Sequence, residues 1–370
     1  MRRGVRSLIR GSLVVPIIIC FLPGCSRQEH TIGAEVSLPR QGAYTLLMAD
    51  GFEEDGTVFD ISEKGDVLSY RSVQLQGLGI KSLSAGRFDL TGDRAEGQWT
   101  VTRDGRLSGV RTEGNASALL RSGDGLIYRA QNRGFGKNGY ISRLQRVNDQ
   151  AKPIAEVDLK SHITGMTEFG DRIIASGDSD HYQGQLFVID RPTMRIVSQW
   201  TYPQMMTMQR CYPDPNPNFA LCIEHHVEDN EKETGNRHLS RIDLTTGQRD
   251  ELGVSEHKIV EVFHDGGKRR VVTIEGIGDI RDRKWEPELK IGNPDFRVEY
   301  IIRNGEIADI HIGPPINVMI GDKADRGAIV RVNLRTMKEI RRTPLHLPER
   351  PWSGVVVLPR EFFEGHHVIG

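Results

Sequence analysis

The stretch from Ile163 to Trp200 constrains this chain more than any other. Arg172–Ser176 is a short apolar run bounded by Gly170-Asp171 and Gly177-Asp178, and runs flanked in this way are strands between turns. After the polar stretch Asp178–Gly184, Leu186–Asp190 supplies a second strand. Pro192 then presets φ for a turn, and Arg195–Trp200 alternates polar and apolar like a half-exposed strand. Three short antiparallel strands cannot cover both of their own faces. They need neighbours stacked on them, and repetition around an axis is one way to supply these.

Fainter copies recur along the chain. Tyr44–Met48, Thr57–Ile61 and Val67–Val73 repeat the plan, as do Gln98–Thr102, Gly125–Ala130, Tyr140–Val147 and Ile154–Leu159. Leu239–Leu244, Val271–Ile274 and Ala328–Asn333 continue it. Asp60, Thr102, Val147, Asp190 and Asp243 mark comparable points, at separations of 42, 45, 43 and 53 residues, after which the steps become irregular through Ile302 to Asn333. A period in the forties with four strands per unit predicts a β-propeller of about seven blades from Gly42 to Gly370. Ser353–Leu358 is placed to close the ring as a C-terminal strand, and Phe362-Phe363 to cover an edge. Leu186–Asp190 with Thr193, and Ile242–Gly247, resemble the V-I-D-x-x-T-G turns of YVTN/WD40-like and quinoprotein-like β-propellers. That resemblance implies an all-β ring and no particular activity.

The first residues belong to export rather than to the fold. Arg2, Arg3, Arg6 and Arg10 form a positive region, and Ser12–Leu22 is apolar but short for a membrane span. The run ends in Leu22-Pro23-Gly24-Cys25, which resembles the lipobox of bacterial lipoproteins. The resemblance implies a signal peptide over 1–24, acylation such as palmitate at Cys25, a tether over 25–41, and an address in the cell envelope. The location would be the outer membrane in a Gram-negative host, and the outer face of the cell membrane otherwise. Removing the four arginines takes the formal charge from −1 to −5. A protein with that charge and no basic stripe has no electrostatic footprint for nucleic acid.

Cys20 leaves with the signal and Cys25 carries lipid, so Cys211 and Cys222 remain. They flank the turn-rich Tyr212–Phe219, and an oxidising compartment favours a hairpin-closing disulfide; two buried thiols are the alternative.

No G-x-x-x-x-G-K-[ST], H-E-x-x-H or G-x-S-x-G motif is present. Gly134, Gly136 and Gly139 mimic a dinucleotide fingerprint, but strands flank them and no helix follows, so the run is a loop. His225-His226 and His366-His367 point to opposite faces of a strand and cannot chelate one ion as adjacent pairs. Asp178 and Asp180, with His181, form a loop cluster suited to a ligand or a hard cation. Arg281–Pro287 is a charged loop in which Trp285 offers an aromatic contact. The chain is therefore expected to be a non-enzymatic, envelope-anchored binding scaffold for a protein or glycan, with no cofactor. The alternative is a lactonase-like, metal-dependent hydrolase or lyase using Glu168, Asp178, Glu224 and Glu275 in the channel.

Overall fold

The computed structural model describes residues 35–49, 56–76, 79–84, 86–92, 97–112, 114–136, 139–226, 236–293, 295–314, 325–347, 354–366 and 368–369. Cys25, the signal segment, the acidic loop over 50–55 and most of the charged excursion after His226 lie outside them. Among the described residues no helix is long and apolar enough to cross a membrane.

The described strands form an all-β propeller of seven four-stranded antiparallel units. Blade 1 combines both ends of the chain: Gly354–Pro359 is innermost and is followed outward by Tyr44–Ala49, Gly56–Ile61 and Val67–Val73. The C-terminal strand pairs along its whole length, from Tyr44↔Pro359 to Ala49↔Gly354. The ring is thus closed by hydrogen bonds between distant parts of one chain, as the sequence leads one to expect. The remaining blades are consecutive meanders. Blade 2 runs from Ile80–Ser84 to Arg106–Arg111, and blade 3 from Ala116–Arg121 to Pro153–Leu159. Blade 4 runs from His162–Phe169 to Arg195–Gln204, and blade 5 from Met206–Pro213 to Arg249–Val254. Blade 6 runs from Ile259–Asp265 to Lys284–Lys290, and blade 7 from Arg297–Asn304 to Lys338–His346.

Apolar side chains fill the seams between blades. Tyr44, Leu46, Phe59, Trp99, Tyr300 and Phe362 are core members where blades 7, 1 and 2 meet. Polar bonds stitch the same seams: Thr343 Oγ1 donates to Glu63 O at 2.9 Å, and Arg270 Nη2 donates to Leu334 O at 3.3 Å.

The V-I-D turns are scaffolding, as their resemblance implies. Asp190 accepts from Thr193 N at 2.9 Å, Asp243 from Thr245 N at 2.7 Å, and Asn333 from Thr336 N at 2.8 Å. Each turn joins the third and fourth strands of its blade, and each ends in a left-handed residue: Met194, Gly247 and Met337.

Two readings of the sequence are corrected. Arg281–Pro287 is not a loop. Gly276–Arg281 and Lys284–Lys290 pair as a hairpin whose two turn residues, Asp282 and Arg283, both have positive φ (46° and 63°). This is the geometry of a tight I′ turn, built without the Asn-Gly signal that usually announces it. Arg281 is accordingly the point comparable to Asp243 and Asn333, and the irregular last steps of the repeat resolve into blade 6. Second, the tether ends earlier than Gln41. Val36–Ser37 adds a strand to the outer edge of blade 2 through Val36↔Leu107 and Ser37↔Arg106, and Leu38 is buried.

Candidate functional site

In an antiparallel meander the link between the second and third strands of every blade emerges on the same face as the link to the next blade. The loop Asp178–Gln183, the glycine hairpin Gly134–Gly139 and the blade junction around Met205 therefore share one face. Ser179 shapes the first loop: its Oγ accepts from His181 N and Gln183 N, both at 3.2 Å. The resulting turn places Tyr182 at φ 53°, with the residue 57% exposed. Met205, 45% exposed, has φ 68°. Tyr182 O accepts from Met206 N at 3.1 Å, so the two left-handed residues are neighbours. From blade 3, Phe135 is 75% exposed and meets Tyr140 edge-on at 5.1 Å, and Tyr140 meets His162 at 5.0 Å. Burial, and secondarily the charge of Asp178, push the Tyr140 phenol above its ordinary range.

The predicted cluster is partly assembled. Asp178 faces His162 at 3.7 Å, whereas Asp180 lies 3.9 Å from His181 and packs against Gly139 of blade 3. Asp178, Asp180 and His181 thus border a rim of aromatic side chains. Trp285 is elsewhere, half-buried in blade 6, where its Nε1–H donates to Val271 O at 3.2 Å and its ring meets His257 at 6.1 Å. Cys211 and Cys222 are register partners on the first two strands of blade 5 and are joined by a disulfide.

Glu168, Asp178, Glu224 and Glu275 do not converge on the channel. Glu168 is ion-paired with Arg191 and accepts from Gly123 N. Glu275 pairs with His257 at 3.1 Å. Glu224 is fully buried and held by Arg249 Nε at 2.7 Å. Burial opposes its ionisation, but Arg249 and His226 outweigh that and keep its carboxyl below the usual range. Beside it, His226 stacks on His238 at 3.7 Å between ring centres, and His238 Nδ1 lies 3.7 Å from Glu251. His226, His238 and Glu251 come from three strands and are close enough to share an ion, although Arg249 and Arg283 already neutralise Glu251. The sequence ruled out His225-His226 as an adjacent pair; strand pairing instead brings His226 beside His238, which is far from it in sequence.

In the channel, the inner strands of blades 2, 5, 6 and 7 enclose a cavity of about 90 Å³. Its lining includes Lys81, Arg210, Glu261, Glu299 and Tyr300. No sequence motif announced these residues, because they come from the inner strands of four different blades. At the other end of the channel Val368–Ile369 pairs with Arg303 and Asn304.

No protein-family model matches the chain, and no curated protein is a significant match. Solved structures do resemble it. The periplasmic gluconolactonase of Pseudomonas aeruginosa is 9% identical, with 85% of this chain and 99% of that one covered at a TM-score of 0.52. A putative 6-phosphogluconolactonase from Bacteroides uniformis is 12% identical, covering 85% and 100%, with a TM-score of 0.51. The dihydro-heme d1 dehydrogenase NirN is 11% identical, covering 90% and 81%, also at 0.51. At these identities the likeness is one of fold.

Proposed function

We propose that this chain is an envelope-anchored lipoprotein that binds a protein or glycan partner through the loop face of blades 3 and 4. The observation that carries the reading is the pair Tyr182 and Met205. Two large side chains stand exposed on neighbouring backbone segments, each on a conformation that costs a non-glycine residue on the order of 1 kcal/mol. Glycine at either position would remove that strain at no cost to packing. Strained residues of this kind cluster at binding sites as well as in tight turns, and aromatic anchors with a polar rim are the anatomy of a binding hot spot. Phe135 and Tyr140 extend the apolar surface, and Asp178, Asp180 and His181 supply its polar border.

The lipobox at Leu22–Cys25 supports the address. Each acyl CH₂ buried at Cys25 would contribute about 0.8 kcal/mol, enough for durable anchoring with two or more chains. Two measurements test the reading. Palmitate labelling should depend on Cys25 and disappear in Cys25→Ser. Photo-crosslinkers placed at Tyr182 and Phe135 in envelope preparations should give one shared adduct that a crosslinker at exposed Ile340 on blade 7 does not. Labelling that survives Cys25→Ser removes the anchor, and adducts identical at all three positions remove the binding face.

The likeness to two lactonases keeps a second reading open, hydrolysis of a sugar-sized substrate in the channel. A cavity of about 90 Å³ is small for it. Pockets for drug-sized ligands span roughly 300–1,000 Å³. Turnover of gluconolactone by the purified chain, lost on Lys81→Met, would establish that reading in place of the first.

A further inference from the structure

Blade 5 gathers three metal-ligand side chains on one face of its sheet. His226 ends the second strand, His238 lies in the third and Glu251 in the fourth. Register explains the meeting. Glu224 is opposite His238, and Ser240 is opposite Glu251. Side chains two apart on a strand share a face, so His226 joins Glu224 and His238 joins Ser240. One ring nitrogen from each histidine and one carboxylate oxygen of Glu251 lie within 4.8 Å of one another. All three residues are partly buried, so they are held by the sheet and still reached from solvent.

The surroundings are those of a ligated histidine. His226 Nε2 lies 3.2 Å from a carboxylate oxygen of Glu224. In the neutral ring this nitrogen donates to the carboxylate and leaves Nδ1 for an ion, the way metal-ligating histidines are generally oriented. Glu224 is itself fully buried and braced by Arg249 Nε at 2.7 Å. Arg249 also donates to Glu251 Oε2 at 3.0 Å, and a carboxylate so bonded keeps further lone pairs for an ion. The two arginines at Glu251 weaken a cation site without abolishing it. Arg249 shares its charge with buried Glu224, and Arg283 is 72% exposed at 3.7 Å, a contact that water screens. The two imidazole planes are 2° apart with centres at 3.7 Å, so an ion cannot lie in both as they stand. Binding therefore turns one ring about its Cβ–Cγ bond, a soft torsion, and His226 is the more exposed of the two.

The structure assigns to blade 5 a site for a borderline divalent transition ion, Zn²⁺ foremost, held by His226, His238 and Glu251 with water completing the coordination. Two imidazoles and a carboxylate are ligands that such an ion takes, whereas Ca²⁺ asks for roughly six to eight oxygens. The site lies apart from the loops of blades 3 and 4 and does not depend on what they bind.

The test uses the chain from Ser26 onward, which has no free thiol to compete for metal once Cys211 and Cys222 are joined. Zn²⁺ is titrated against a chromophoric chelator, with Ca²⁺ titrated by calorimetry as the hard-ion control. About one equivalent of Zn²⁺ should bind and raise the melting midpoint. Co²⁺ in its place should show the visible bands of a four-coordinate site. His226→Phe and His238→Phe keep a ring in the stack, and each should weaken Zn²⁺ at least tenfold while the metal-free midpoint changes little. Glu251→Gln should weaken it as well, and His181→Phe on the rim of blade 4 should not. Where a variant fails to fold, the Co²⁺ spectrum of the wild type decides, because it reports the ligand set directly. Substoichiometric Zn²⁺ uptake, unchanged affinity in His226→Phe and His238→Phe, or a preference for Ca²⁺ over Zn²⁺ would overturn the proposal.

Discussion

Arg121 reaches across the seam between blades 2 and 3 and grips Asp89 with two nitrogens, Nε and Nη2, the latter at 2.9 Å from Oδ1. Both side chains are almost wholly buried. The remaining lone pairs are satisfied as well: Thr100 Oγ1 donates to Asp89 at 2.7 Å, and Arg121 Nη1 donates to Gly125 O at 2.7 Å. Nothing local dictates this contact, yet it fixes how two consecutive blades sit together.

Removing one partner leaves the other charged and buried, which is where the cost arises. Asp89→Ala and Arg121→Ala are each expected to lower stability by about 3–5 kcal/mol. The paired replacement Asp89→Leu/Arg121→Met should recover much of that loss. Denaturant unfolding of the three variants checks this, and equal destabilisation in single and double variants would contradict it.

The disulfide between Cys211 and Cys222 closes a loop with a sequence separation of 11. The chain-entropy model predicts that its loss costs about 3 kcal/mol. Cys211→Ala/Cys222→Ala should therefore melt lower than the oxidised wild type, and reductant should lower only the wild-type midpoint.

Tyr182→Gly releases a left-handed residue from its strain. Stability should rise by about 1 kcal/mol, offset in part by the entropy of a more flexible unfolded chain. Partner crosslinking at the loop face should fall at the same time. A variant that loses both would show that the ring of Tyr182 supports the fold.

His311 is buried, and burial, with a smaller contribution from Lys81, depresses its pKa from 6.5 to about 3. Between those two values the unfolded chain binds a proton that the folded chain does not. Stability contributed by the neutral ring is therefore complete above pH 6.5 and is lost as pH falls toward 3. The loss amounts to about 2 kcal/mol by pH 5, taking 1.36 kcal/mol for each pH unit. His311→Phe should flatten this part of the stability profile, measured by denaturant midpoints from pH 4 to 8.

Much of the architecture was legible because it is periodic. Apolar runs ended by Gly, Asp and Thr gave strands of the right length, and the spacing of Asp60, Thr102, Val147, Asp190 and Asp243 tracks the ends of the third strands of blades 1 to 5. The reading slipped at blade 6, where Asp282-Arg283 makes a hairpin turn from residues that do not advertise one. It slipped again at Val36–Ser37, because two residues docked on a sheet edge carry no pattern of their own.

Local chemistry along the chain thus determined the class of fold, the approximate number of blades, the turns that join their outer strands, the pairing of Cys211 with Cys222, and the loop Asp178–His181 as a feature of one rim. These are consequences of neighbouring residues and short-range periodicity. The tertiary structure alone decided which residues distant in sequence meet: Tyr182 beside Met205, His226 stacked on His238, and Lys81 of blade 2 over Tyr300 of blade 7. Each of these contacts depends on the register of strand pairing and on how the ring closes. Both are set by burial summed over the whole molecule, and no single stretch of sequence encodes them.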